Sequence, residues 1–98
     1  MAFIIITGHF PPHRSTEVGQ LFLKLPKLPD FVETKHVFVT SDLKTSFYSL
    51  YEVSEDKYFE GIKAIVKRYT GYNEIEGYEY RIVPVLEAKD ALALLGLG

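Results

Sequence analysis

Runs and alternations of hydrophobic residues predict a strand and then a helix in the first quarter of the chain. Phe3–Thr7 is β-branched or aromatic throughout, which is typical of a strand buried on both faces. Gly8, Pro11 and Pro12 are expected to break this strand, because proline removes backbone donors from a sheet. Apolar residues at helical spacing over positions 15–24 then predict a helix that begins at a capping hydroxyl.

The middle of the chain predicts a hairpin and a second helix. Glu33–Thr40 and Ser46–Val53 alternate as strands do, and the short polar link between them favours an antiparallel pair. Ser54 is a good helix cap, and apolar residues recur at helical spacing over 58–69. Gly71 is expected to end this helix in a left-handed conformation.

The last quarter completes the order of elements. Tyr78–Leu86 predicts a fourth strand, and Lys89–Leu95 predicts a short terminal helix. The order β-α-β-β-α-β predicts an α+β, ferredoxin-like domain over residues 1–98, with two helices on one face of a four-stranded antiparallel sheet. The other sheet face is too apolar to meet water, so we expect a second copy to cover it in a homodimer or higher homo-oligomer.

Composition narrows the functional class. Of 98 residues, 47% are hydrophobic and 24% are charged, which is typical of one ordered domain. Eleven basic residues against thirteen acidic ones leave a net charge of −2 without a basic stripe, so no nucleic-acid partner is expected. The absence of cysteine excludes disulfides and thiolate metal sites. Without a long apolar run or a secretory signal, we expect a cytoplasmic protein with no membrane partner.

The histidines are the first candidates for acid–base chemistry. His9 and His13 are separated by two prolines, whose extended rise of about 3.1 Å per residue holds them roughly 12 Å apart, so no metal site is predicted. Alternation places His36 and Phe38 on the uncovered sheet face, and it places Thr7 and His9 there too. His9 and His36 are then either polar contacts of a cavity or hydrogen-bonded interface residues.

A carboxylate and a guanidinium are further candidates. Glu52 is expected to point into the same cavity as Tyr48, and a buried carboxylate is unfavourable unless it is paired or protonated. Arg81 in the fourth strand is its natural partner. The alternative is a structural Glu–Arg pair on an exposed sheet rim. Both interpretations require the two side chains to share a face, which alternation alone leaves open.

Aromatic residues are abundant, with seven tyrosines and seven phenylalanines. Tyr69, Tyr72, Tyr78 and Tyr80 fall around the end of the second helix and the last strand. Their phenols can orient a planar ligand or supply a proton. Aromatic packing at a dimer interface explains the same abundance without a ligand.

Several short segments resemble the dimeric α/β-barrel superfamily, in which two ferredoxin-like sheets pack face to face. They are Asp42-Leu43 before the aromatic strand Phe47–Glu52, an acidic-capped helix with Phe59, the late strand Tyr80–Val85, and Phe10-x-Pro12. Within the superfamily, the chain resembles a small uncharacterised family of stand-alone domains of about this length. It departs from that pattern in having no tryptophan and a longer loop over 26–29.

The resemblance implies a barrel-forming dimer but does not choose a chemistry, because this superfamily hosts monooxygenases, isomerases, cyclases and ligand-sensing domains. The leading hypothesis is a small-molecule-binding barrel without a cofactor, whose apolar or aromatic ligand lies in an aromatic-lined cavity between sheet and helices or between sheets. One alternative is a cofactor-independent isomerase, cyclase or monooxygenase that uses a cavity histidine as general base. Another is a structural oligomerisation module. The predicted catalytic residues are His9, His36, Glu52 and Arg81, and the predicted ligand contacts are Thr7, Phe38, Tyr48 and Tyr80.

Overall fold

The protein is described from a computed structural model that covers residues 2–97. Its sheet and helices confirm the predicted order of elements. In chain order they are β1 (Ala2–Phe10), α1 (Ser15–Lys24), β2 (Val32–Ser41), β3 (Thr45–Val53), α2 (Tyr58–Thr70), β4 (Glu79–Val85) and α3 (Ala88–Leu94). Single turns of 3₁₀ helix, Pro12–Arg14 and Glu55–Lys57, lead into α1 and α2.

The four strands form one antiparallel sheet in the order β2-β3-β1-β4. The two helices that follow β1 and β3 return the chain across one face of this sheet, as in the ferredoxin-like fold that the sequence predicts. β1 and β3 are the central strands, so their side chains fix the middle of both sheet faces. β2 and β4 are the edges.

The hydrophobic core lies between the sheet and α2. Ile4 and Ile6 of β1, Val53 of β3 and Ile65 of α2 are fully buried. These residues follow the two-residue period of strands and the helical period of α2, which is why the sequence pattern identifies them. α1 contributes only partly buried side chains, among them Val18, and therefore lies less tightly on the sheet than α2 does.

β1 continues past its predicted end, as far as Phe10. Gly8 does not break the strand but pairs with Phe47 on one side and Tyr80 on the other. A Cβ at Gly8 would collide with the carbonyl of Glu79 and would lie 2.6 Å from the Phe47 ring. Glycine therefore serves close packing of three strands here, and the strand ends only at Pro11.

Three predicted helix-end signals are wrong. The residue that precedes α1 is Arg14, which makes no side-chain capping bond, and the Ser15 hydroxyl donates to the carbonyl oxygen of Pro12 instead. Gly71 has a right-handed backbone (φ −61°), and its missing side chain instead makes room for Leu25, whose Cδ2 would lie 2.5 Å from a Cβ there. A left-handed glycine occurs instead at Gly77 (φ +86°), six residues later, just before β4. Ser54 makes no side-chain capping bond, because the 3₁₀ turn separates it from α2. Within residues 2–97, no helix is long and apolar enough to cross a membrane.

Candidate functional site

An apolar cavity of about 440 Å³ lies on the helix side of the sheet, between α1 and strands β2 and β3. Its floor is formed by side chains that alternation turns towards the helices, including Val37, Val39 and Phe47. Val37 is 41% exposed and Val39 is 62% exposed, so the cavity opens to solvent along the β2 edge. A gap of this kind arises because α1 covers the sheet incompletely.

The roof of the cavity is the inner face of α1, where Val18, Gly19 and Phe22 line it. Gly19 stands inside the helix, where glycine costs about 1 kcal/mol relative to alanine. A Cβ at Gly19 would meet no atom within 4 Å. Packing within this chain therefore does not require a glycine at this exposed position, which borders the cavity.

Arg68 of α2 fixes the end of α1 above the cavity. Its Nη1 donates to the carbonyl oxygen of Pro26 at 2.8 Å, and its Nη2 donates to that of Phe22 at 3.1 Å. The guanidinium also lies 5.4 Å from the centre of the Phe22 ring, within the range of a cation–π contact. Arg68 thereby satisfies carbonyls that the helix end leaves free and holds Phe22 at the cavity rim.

The back wall of the cavity is aromatic. Tyr72 and Tyr78 stack at 4.6 Å with nearly parallel rings, and Phe47 lies 6.2 Å from Tyr69 and 5.4 Å from Tyr78. Phe10 closes this wall by stacking on Tyr78 at 5.8 Å. The predicted clustering of these tyrosines is therefore present, and Tyr69, Tyr72 and Tyr78 line the cavity.

Hydroxyl groups supply the buried polar contacts of this wall. Tyr69 donates to Ser49 Oγ at 3.1 Å, and the phenol of Tyr51 lies 3.0 Å from that of Tyr69. Burial raises the pKa of Tyr69 and of Tyr78 above the ordinary phenol value, so both stay neutral at physiological pH. The cavity lining includes no acidic, basic or imidazole side chain. The site thus offers flat apolar surface and neutral hydroxyls.

The opposite, open face of the sheet carries most of the sequence-predicted site residues. Pairing places Thr7 beside Tyr48 and Arg81, and it places Phe38 on the far side of Tyr48. Phe38 is 60% exposed and Tyr48 is 47% exposed. This is the face that the sequence predicts to be left uncovered by the helices. Seven of the eight predicted residues lie on it: Thr7, His9, His36, Phe38, Tyr48, Glu52 and Arg81.

These residues do not form one site. Thr7, His9, Tyr48 and Arg81 line a shallow depression of about 440 Å³. His36 pairs with Leu50, two strands and four residues away from His9, so their Cα atoms are roughly 17 Å apart by strand geometry. A single protomer therefore does not bring the two histidines to one ligand.

Each histidine has a local partner. His9 Nε2 lies 3.2 Å from Glu79 Oε2 across the β1–β4 pair. This contact orients the imidazole and leaves Nδ1 directed away from the carboxylate. His36 stacks on Phe38 at 5.4 Å between ring centres. Among the described residues, no group of three or more acidic, histidine or cysteine side chains could hold a metal ion.

The expected Glu52–Arg81 pair is wrong. Both side chains share the open face, but they flank β1 four residues apart along the strands, roughly 17 Å between Cα atoms. Glu52 instead meets Lys35 Nζ at 3.5 Å, and Lys35 also reaches Glu33 at 3.5 Å. The negative charge of Glu33, followed in size of effect by that of Glu52, raises the pKa of Lys35. A strand irregularity between Thr34 and His36 turns Lys35 towards both carboxylates, which alternation does not predict.

Tyr80 lies apart from the other predicted ligand contacts. It pairs with Gly8 and points to the helix side, where its ring lies 5.4 Å from that of Tyr69 and 6.2 Å from that of Tyr78. Grouping it with Thr7 and Tyr48 in one ligand site is therefore wrong. Tyr80 packs behind the cavity wall instead.

The sequence interpretation missed several residues that line the helix-side cavity, above all Gly19. A lone glycine within a helical pattern is a signal of special packing or function, and it was available in the sequence. Phe47 and Ser49 give a weaker indication of a cavity, because a helix is expected to pack directly on the inward-facing residues of a strand. Nothing in the hydrophobic pattern shows that α1 sits away from them.

The comparisons with known proteins yield no relative. No model of a protein family, no curated protein sequence and no solved structure matches the chain.

Proposed function

We propose that this protein binds a small, uncharged, flat apolar molecule in the cavity between α1 and the sheet, and that it works as a homodimer of the α/β-barrel type. The observation that carries the proposal is Gly19. A glycine within a helix, with no neighbour that excludes a side chain, keeps open a cavity whose walls are aromatic.

The cavity lining specifies the class of ligand. The volume of about 440 Å³ is within the range of small-molecule pockets. It is several times the ~150 Å³ that accommodates one benzene ring in a protein core, so two fused rings fit. A charged ligand would lose its hydration without finding a counter-ion among the lining residues. Neutral hydroxyls, such as the Ser49–Tyr69 pair, can still exchange a hydrogen bond with a carbonyl or hydroxyl of the ligand.

The dimer part of the proposal rests on the open sheet face. Phe3, Ile5, Leu50, Val83 and Val85 give it an apolar surface in the two central strands and β4. A contiguous apolar surface of this kind on a sheet face is typical of an interaction site. Since α1 and α2 occupy the other side, a second copy is the simplest cover, and a twofold contact lets the same patch serve both protomers.

The binding proposal is tested by calorimetric titration with 2-naphthol, a neutral two-ring probe, and with 2-naphthalenesulfonate as its charged counterpart. We expect saturable binding of the naphthol and at least about tenfold weaker binding of the sulfonate, a difference of roughly 1.4 kcal/mol. Equal affinity for the two probes would contradict the assignment of an uncharged ligand. No saturable binding of either probe would overturn the cavity proposal itself.

A pair of α1 variants locates the binding event. Gly19→Leu places a side chain in the cavity and is expected to abolish naphthol binding. Gln20→Leu adds the same side chain to the exposed face of the same helix and should leave binding unchanged. If both variants bind the probe as well as the unaltered protein does, the ligand lies elsewhere.

A second candidate function is cofactor-independent acid–base catalysis on the open face, and it is favoured by the His9–Glu79 contact. The carboxylate fixes the imidazole through Nε2–H, so Nδ1 is the atom able to take a proton from a carbon acid. Arg81, diagonally across the strand pair, would stabilise the resulting enolate oxygen. A panel of enolisable ketones and lactones in deuterated water tests this function by the appearance of deuterium next to the carbonyl.

Histidine variants provide the matched control for that assay. His9→Gln should abolish exchange, whereas His36→Gln, at the stacked histidine away from the depression, should leave it unchanged. Exchange that is the same in both variants as in the unaltered protein would exclude His9 as the base. With no exchange and no probe binding, only the structural oligomerisation module would remain.

A further inference from the structure

The C-terminal segment, residues 86–97, exposes five leucine side chains to solvent. Leu86 is 62% exposed, Leu92 44%, Leu94 79%, Leu95 72% and Leu97 71%. Single exposed leucines are common, but five in twelve consecutive residues form a patch of the kind that marks an interaction site.

α3 nevertheless ends as a well-formed helix. Leu97 N–H donates to the Leu92 carbonyl at 2.9 Å and Gly96 N–H to the Ala93 carbonyl at 3.0 Å, with Gly96 at φ +76°. This is the Schellman arrangement, which satisfies the last carbonyls of a helix. The sequence Gly96-Leu97-Gly98 by itself predicts a frayed tail, which is wrong for Gly96 and Leu97, while Gly98 lies outside the described residues.

A helix of this length needs a partner. α3 has seven residues, and an isolated helix shorter than about 12 residues is marginal in water. The hydrogen bonds that define its ends remain within residues 87–97, and its ion pair between Lys89 and Glu87, at 3.4 Å, is also local. Its leucines therefore have to be covered by another surface if the helix is to persist.

We propose that this segment docks on a second copy of the chain and extends the interface that the open sheet face forms. The inference rests on the homodimer of the proposed function. The segment leaves the sheet at Val85, which is on the open face beside Phe3. The segment therefore begins at the end of the edge strand β4, next to the open face.

The area of the interface favours this assignment. Four strands spaced about 4.8 Å apart, with residues rising about 3.4 Å, give a sheet face of roughly 500 Å² in each copy. Two such faces bury about 1,000 Å², which is below the ~1,200–2,000 Å² of a stable interface. Burial of the five exposed leucines of each copy would add to this area and bring the total into the range of a stable interface.

The charge of the segment points away from a lipid surface. Glu87 and Asp90 outnumber its single basic residue, Lys89. Segments that bind anionic membranes are rich in lysine and arginine on their polar face. A second copy fits because its own apolar sheet face and leucines need cover as well.

The test measures dimerisation by sedimentation velocity over a range of concentrations. Leu94→Gln combined with Leu95→Gln is expected to raise the dimer dissociation constant by about tenfold or more. The control combines Leu23→Gln and Leu43→Gln, at leucines exposed by 84% and 92% elsewhere on the surface, and should leave it unchanged. Equal dissociation constants for the two double variants would overturn the proposal.

Hydrogen exchange gives an independent readout on the unaltered protein. Amides of Leu95, Gly96 and Leu97 should become protected as the concentration rises through the dimer midpoint. Protection that persists in the diluted monomer would mean that the segment packs on its own chain, which would overturn the proposal. An unaltered protein that is monomeric at every concentration would overturn both the dimer and this inference, whereas naphthol binding tests the cavity separately.

Discussion

Replacing Gly19 with alanine should stabilise the protein, although Gly19 lines the cavity proposed to be functional. The helix interior gains about 1 kcal/mol when glycine becomes alanine, because the unfolded chain loses conformational freedom. The new methyl group meets no atom within 4 Å, so no steric cost offsets this gain. For a domain of this size, the expected rise in Tm is roughly 4–8 °C.

Leucine at the same position separates stability from binding. Its helix propensity is close to that of alanine, and partial burial of its side chain among Phe47 and Val39 adds about 1 kcal/mol. Lost rotamer freedom removes about 0.5–1 kcal/mol, so Gly19→Leu should be about 1–1.5 kcal/mol more stable than the unaltered protein. The same variant should have lost naphthol binding.

Urea unfolding followed by far-ultraviolet circular dichroism measures both changes, at one fixed protein concentration because dimerisation contributes to stability. Gln20→Leu, on the exposed side of α1, should change the free energy of unfolding by less than about 0.5 kcal/mol. A Gly19→Ala variant that is less stable than the unaltered protein would refute the reasoning. It would mean that α1 contacts the sheet directly and that the cavity is closed.

Three further results are expected. Leu50→Arg, at the centre of the open face, should convert the dimer to a monomer in sedimentation velocity; an unchanged dimer would show that this face is not the interface. Tyr69→Phe removes the hydroxyl bonded to Ser49 and should cost about 2 kcal/mol in urea unfolding, whereas a cost near zero would contradict a buried network. Because burial raises the pKa of Tyr69 and Tyr78, stability should be complete below about pH 10 and fall as the pH rises further. Phenolate absorbance of these two residues should then appear together with unfolding, not before it.

The fold could be predicted from the sequence because the spacing of hydrophobic residues and the positions of turn-forming residues agree along most of the chain. Inward residues such as Ile4, Ile6 and Ile65 follow the periods of strand and helix, and the four strands follow from them. Glycine was harder to interpret. Gly8 and Gly71 both look like breaks, but each makes room for a neighbouring chain segment, and such close approaches depend on tertiary structure.

The site was predicted less well, for two physical reasons. Strand alternation put His9 and His36 on the open face but left the face of Glu52 and Arg81 undecided, and it carries no information on distance within a face. The irregularity beside His36 gave Glu52 a different partner from the one expected. The helix-side cavity, in turn, depends on how far α1 stands from the sheet.

The central claim is that a neutral aromatic molecule binds between α1 and the sheet. Amide chemical-shift mapping during titration of the isotopically labelled protein with 2-naphthol tests it most directly. The account predicts saturable shifts at Gly19, Thr45, Ser49 and Tyr69, all of which line that cavity. Saturable shifts confined to the open face, around Tyr48, would contradict it, as would the absence of any saturable shift.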